Sequence, residues 1–180
     1  MSENYTIEHH SHRFSAWAAS RAASASSLFR FKVSLGVEAL NECGFDEEFT
    51  VDDLPPPEQI DRVHFDWRNR LIKSKPLAVK KPSHGVAAKL INVYLKGRFV
   101  CGGFHNDDRV KALHPPIDSI LLKALYSNAD QEIKSKWKKY IGIGWSNFSS
   151  EEYEEVIQLI RLTSDGAPLW MIEKYWQGFR

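Results

Sequence analysis

Between Lys80 and Leu125 the chain repeats its apolar residues at intervals of three and four, twice over, with a loop between. In the first block the pattern is Val86, Ala87, Leu90, Ile91, Tyr94 and Leu95, behind a turn at Pro82-Ser83-His84-Gly85. In the second it is Ile117, Ile120, Leu121, Ala124 and Leu125, behind His114-Pro115-Pro116. Such spacing buries one face of a helix and cannot bury one face of a strand. The other segments agree. Phe14 to Ala25 is alanine-rich and helix-prone, and a second helix is expected from about Ser27 or Phe29 to Gly44. Glu58 to Ser74 follows the Pro55-Pro56-Pro57 linker, with Ile60, Val63, Trp67 and Leu71 on one face and His64, Asp66 and Arg68 decorating it. Ala129 to Tyr140, Ser149 to Thr163 and Leu169 to Trp176 complete the set. No strand alternation and no internal repeat interrupts it. The expected fold is all-α, a single globular helical domain over 13–180 behind a flexible polar tail over 1–12.

Length and composition are consistent with that reading. A chain of 180 residues with 43% hydrophobic and 26% charged residues suits one soluble domain. No apolar run approaches a membrane span, and Met1 to His12 lacks a signal core, so the expected setting is the cytoplasm. Cys43 and Cys101 are too few for a disulfide framework or a four-cysteine iron-sulfur cluster. His9, His10 and His12 have no cysteine or carboxylate nearby to complete a metal site, and none is expected. Charge is uneven: residues 70–139 hold 15 of the 24 Lys/Arg but 5 of the 23 Asp/Glu. A basic region on an acidic body is the footprint of a nucleic-acid-binding face, or of a solvated surface with no partner.

Two charged residues stand at the starts of the two organising helices. Taken alone, Lys89 reads as a solvent-facing lysine and Asp118 as a helix N-terminal charge. In context, Gly85-Val86-Ala87-Ala88-Lys89-Leu90-Ile91-Asn92-Val93 resembles the helix-hairpin-helix motif of base-excision DNA glycosylases, whose pattern is Gly-Val-Gly-x-Lys-Thr-Ala. Pro116-Ile117-Asp118-Ser119-Ile120 resembles the Val-Asp-Thr-His-Val element of the same family. Ala87 replaces the second hairpin glycine, Pro82-Ser83-His84 replaces the usual Leu-Pro, and Asp118 follows Lys89 by 29 residues. That interval brings the archaeal 8-oxoguanine glycosylase branch nearest.

The resemblance implies a DNA glycosylase with AP lyase activity, monomeric and without a cofactor. Its partner would be double-stranded DNA carrying a damaged or modified base, met at the nucleoid in a bacterial or archaeal cell. Lys89 would be the Schiff-base nucleophile. Asp118 would accept a proton or stabilise the cationic sugar. Phosphate contacts would come from Ser83, His84, Gly85 and Ala87 at the hairpin and from Lys80, Lys81 and Lys96. The flipped base needs an aromatic pocket. Candidates are Trp17, Phe29, Trp67, Trp145, Trp170 and Trp176, of which Trp17, Trp67 and Trp170 are assigned to it. Two alternatives stay open: a glycosylase acting on modified bases of foreign (phage) DNA as a defence, and a non-catalytic helix-hairpin-helix DNA-binding module. A helical protein-interaction domain is a third class. The 97–113 loop, with Gly102-Gly103 and Asp107-Asp108, reads either as ordinary surface or as a ligand-facing segment.

Overall fold

A computed structural model describes residues 5–25 and 29–179. It is all-α, and among the described residues there is no strand. The order is α1 (Ile7–Ala23), α2 (Val33–Glu42), α3 (Ile60–Lys73), α4 (His84–Leu95), a π-helical turn over Lys96–Phe104, α5 (Asp108–Lys111), α6 (Ser119–Asn128), α7 (Gln131–Ile143) and α8 (Ser150–Ser164). Short 3-10 turns cover Val51–Asp53, Pro57–Gln59, Trp145–Asn147 and Leu169–Tyr175. No described helix is long and apolar enough to cross a membrane.

Helix α4 is the axle. Ten of its residues are buried, from Gly85 through Leu95 with only Val93 half-buried. Its sequence is apolar nearly all round, which is how a helix reads when it is packed on every side. Val86, Ala87, Leu90, Ile91, Tyr94 and Leu95 belong to a first core with Ala16, Ala19, Leu40, Phe45, Trp67 and Leu71. Ala88 belongs to a second core with Leu121, Leu125, Trp137, Tyr153, Val156 and Ile160. Trp145 packs against both.

Close approach explains two glycines. A Cβ on Gly85 would stand 1.8 Å from the carbonyl oxygen of Trp145. The start of α4 therefore presses directly on the backbone of the 145–148 turn, and the Gly85 N–H donates to the Phe148 carbonyl at 3.3 Å. Gly103, at φ 96°, ends the π-helical turn in the left-handed region.

Several expectations change. The tail expected over 1–12 is replaced from residue 7 by helix. Thr6 caps α1 and forms a capping box with His9, and His12 is buried against the Tyr94 hydroxyl at 3.1 Å. Residues 1–4 lie outside the described residues, as does Ser27, an expected start of α2. His64 and Arg68 do not decorate α3 but are buried. The 97–113 loop is largely helical, because α4 runs on into wider π turns before Asp107 caps α5. Ser149 caps α8 with a Glu152 capping box, as the serine-acid start implied.

Candidate active site

The two helices with charged starts bring those charges together. Lys89 is the sixth residue of α4, a turn and a half in, and is buried. Asp118 is the N-cap of α6, with extended backbone. The Lys89 ammonium donates to Asp118 Oδ2 at 3.1 Å. Asp118 Oδ1 accepts the Leu121 N–H at 2.9 Å, and Oδ2 also accepts the Trp176 indole N–H at 3.0 Å. Both carboxylate oxygens are thus oriented before anything binds. The Lys89 ammonium lies 5.6 Å from the Trp145 ring centre, a cation–π distance.

Lys89 is only 7% exposed. Burial disfavours its charged form more than the Asp118 carboxylate restores it, so its pKa lies below the ordinary lysine range. Burial pushes the Asp118 carboxyl the other way. The Lys89 charge, the Leu121 N–H and the Trp176 indole outweigh that and hold it below its ordinary value. The pair is therefore an ionised carboxylate beside an amine that gives up its proton more readily than a free lysine.

Lys89 and Asp118 line a cavity of about 530 Å³, within the roughly 300–1,000 Å³ of small-molecule sites. Small residues of α1 (Ser15, Ala18, Ala22) form one wall, Trp145 and Trp176 another, and Pro116 a third. At the rim Lys96 pairs with Glu173.

The other expected site residues disperse. Trp67 is in the first core against Phe45 and does not reach the cavity. Trp170 faces His105 and lines an adjoining apolar groove with Met171 and Lys174, which shares Lys96, Cys101 and Glu173 with the cavity but not Lys89 or Asp118. Trp17 is exposed on α1, outside the cavity lining. Phe29 packs against the first core. The cavity aromatics are instead Phe14 of α1 with Trp145 and Trp176, the last two brought in by the turn after α7 and by the end of the C-terminal 3-10 turn. The candidate tryptophans carry no mark in the sequence that tells pocket from core, and only the closure of distant segments separates them.

Of the hairpin residues, Lys80 and Lys81 are exposed in the α3–α4 connection. Ser83 caps α4 through the Val86 N–H and donates to the Ser146 carbonyl. His84 stacks on Phe65. Gly85 and Ala87 are buried, and their N–H groups donate to the Phe148 and Ser83 carbonyls. Lys96 stands at the cavity rim, not at the hairpin.

Behind the pair lies a buried polar network that periodicity did not disclose. Asn92, one turn beyond Lys89, donates from Nδ2 to the Pro115 carbonyl and to the Tyr153 hydroxyl, both at 3.0 Å. Its Oδ1 lies 2.7 Å from His64 Nε2. The Tyr153 hydroxyl is 3.0 Å from His114 Nδ1, and His114 Nε2 is 2.8 Å from Asp61 Oδ1. Arg161 clamps Asp61 with two bonds, at 2.6 and 2.7 Å. One proton arrangement satisfies the chain. His64 donates to Asn92, Asn92 to Tyr153, Tyr153 to His114 and His114 to Asp61. Burial holds both imidazoles neutral, as this arrangement requires. The network ties α4 to the 114–118 segment three residues before Asp118. Asn92→Ala would strand the Pro115 carbonyl and the His64 ring and take from the Tyr153 hydroxyl the donor it accepts from. We expect a loss of ~2–4 kcal/mol in urea unfolding.

Among the described residues no cluster of His, Cys, Asp and Glu could hold a metal ion. Comparison with known protein families, curated proteins and solved structures finds no match to this chain.

Proposed function

We propose that the protein is a DNA glycosylase with AP lyase activity. It would take a damaged or modified base, turned out of the duplex, into the Lys89–Asp118 cavity and cut its bond to the sugar. The observation that carries this reading is a buried lysine hydrogen-bonded to an oriented carboxylate, at the wall of a cavity with two tryptophans.

The chemistry follows from those groups. In the proposed reaction the Asp118 carboxylate faces the positive charge that develops on the sugar as the C1′–N bond breaks and its electron pair leaves with the base, which takes a proton from solvent. The neutral Lys89 amine attacks C1′, and Asp118 then takes the proton its nitrogen sheds and passes it to O4′ as the ring opens. Ring opening leaves an imine between Lys89 and C1′. Loss of a C2′ proton then expels the 3′ phosphate and cuts the strand. Trp145 and Trp176 offer faces on which a flipped base can stack. Exposed Lys80 and Lys81 would meet the phosphate backbone.

The test is a panel of duplexes carrying oxidised purines and modified pyrimidines, with released base followed by chromatography and strand cutting by denaturing gel. Base release from at least one duplex is expected. Tight, salt-sensitive DNA binding without release from any duplex would leave a non-catalytic DNA-binding module. Absence of DNA binding at moderate salt would leave a protein-interaction domain.

A further inference from the structure

Helix α1 walls the cavity with one face and turns an unusual one to solvent. His10, Phe14, Trp17 and Arg21 stand four, three and four residues apart, which places them in one stripe, and all are exposed. Arg13 is exposed beside them. Phe14 is 61% and Trp17 51% exposed, and their ring centres are 6.0 Å apart. Two large aromatics side by side in water are an apolar patch rather than scattered surface residues. The fold does not need them there, since α1 packs through Ala16, Ala19, Ala23, Ser15 and Ser20. The only acid in α1 is Glu8, in its first turn, while Arg13 and Arg21 flank the rings.

Position adds to composition. Phe14 lines the Lys89 cavity, and Trp17 lies next to it along the helix, outside the cavity. Phe14 thus joins the exposed stripe to the lining of the cavity that holds Lys89.

We propose that the α1 stripe is a stacking platform for an unpaired nucleobase outside the cavity, with Arg13 and Arg21 on the adjoining phosphates. The proposal rests on the DNA-glycosylase reading. A base withdrawn into the cavity leaves an unpaired neighbourhood in the duplex, and aromatic faces bind unpaired bases whatever their sequence. Paired bases offer no free face, so the rings discriminate for opened DNA, while the arginines act on any DNA.

The test measures affinity by fluorescence anisotropy for three probes: a fully paired duplex, the same duplex with a tetrahydrofuran abasic analogue, and the single strand. Trp17→Ala is expected to lose about tenfold or more on the second and third and little on the first. Trp17→Tyr should recover most of the loss. Arg21→Gln should weaken all three alike and flatten the salt dependence. Equal loss on all probes with Trp17→Ala, or no loss on any, would overturn the platform and leave the glycosylase reading intact. A concentration-dependent dimer abolished by Trp17→Ala, with DNA affinity unchanged, would place a second copy on the stripe and overturn it too. Wild-type protein that binds none of the probes would overturn the glycosylase reading, and the platform with it.

Discussion

Asp118→Asn is expected to lower single-turnover base release on the order of 10²–10⁴-fold, the usual worth of a positioned proton acceptor, with DNA affinity unchanged in anisotropy titrations. The substitution is close to isosteric. An amide oxygen can still cap Leu121, so the start of α6 keeps its cap, while the amide nitrogen replaces the oxygen that accepts from Lys89 and Trp176 and those two bonds are lost. What disappears is the negative charge that takes the Lys89 proton and faces the developing sugar cation. The same change removes the main influence that raises the Lys89 pKa, so the amine becomes more, not less, often neutral. Trapping at a preformed abasic site should therefore fall less than base release does. A variant that releases base at the wild-type rate would remove Asp118 from the chemistry.

Lys89→Gln is expected to abolish the covalent adduct altogether and to reduce base release by at least ~10³-fold. Glutamine retains a donor for Asp118, and α4 keeps its packing through Val86, Leu90 and Ile91. Loss of activity with an unchanged unfolding midpoint would place the defect in the nucleophile, not the fold. Full base excision by Lys89→Gln would contradict the assigned mechanism.

The Lys89 amine attacks only when neutral, and burial holds its pKa below the lysine value of about 10.4. Adduct formation with a preformed abasic site should rise with pH and level off earlier than an ordinary lysine would allow. In Asp118→Asn the rise should shift to lower pH, because the carboxylate that favours the charged amine is gone. Single-turnover rates across a pH series measure both midpoints.

How much of this was legible in the sequence depends on the distance over which each residue acts. The helices follow from local spacing, and α8 was readable down to its Ser149 cap. The start of α1 was not, because a threonine cap and a histidine partner resemble a polar tail until the helix docks. The organising stretch pointed to Lys89 and Asp118 through a resemblance of two short elements. Their meeting at 3.1 Å across 29 residues is a tertiary fact that no local pattern carries. The tryptophans were ambiguous for the same reason. Nothing in the sequence around Trp145 marks it as a cavity residue, and the pressing of Gly85 on the 145–148 turn puts it beside Lys89. The network through Asn92, His64, Tyr153 and His114 was invisible, since its members come from α4, α3, α8 and the segment before α6, far apart in sequence.

The central claim is that the Lys89 amine becomes covalently bonded to a DNA sugar. The most direct measurement is borohydride reduction of wild-type protein mixed with a duplex bearing an abasic site, followed by digestion and mass mapping of the cross-linked peptide. The account predicts an irreversible adduct at Lys89 that is absent in Lys89→Gln. DNA bound by the wild-type protein with no adduct, or an adduct at another lysine, would contradict it.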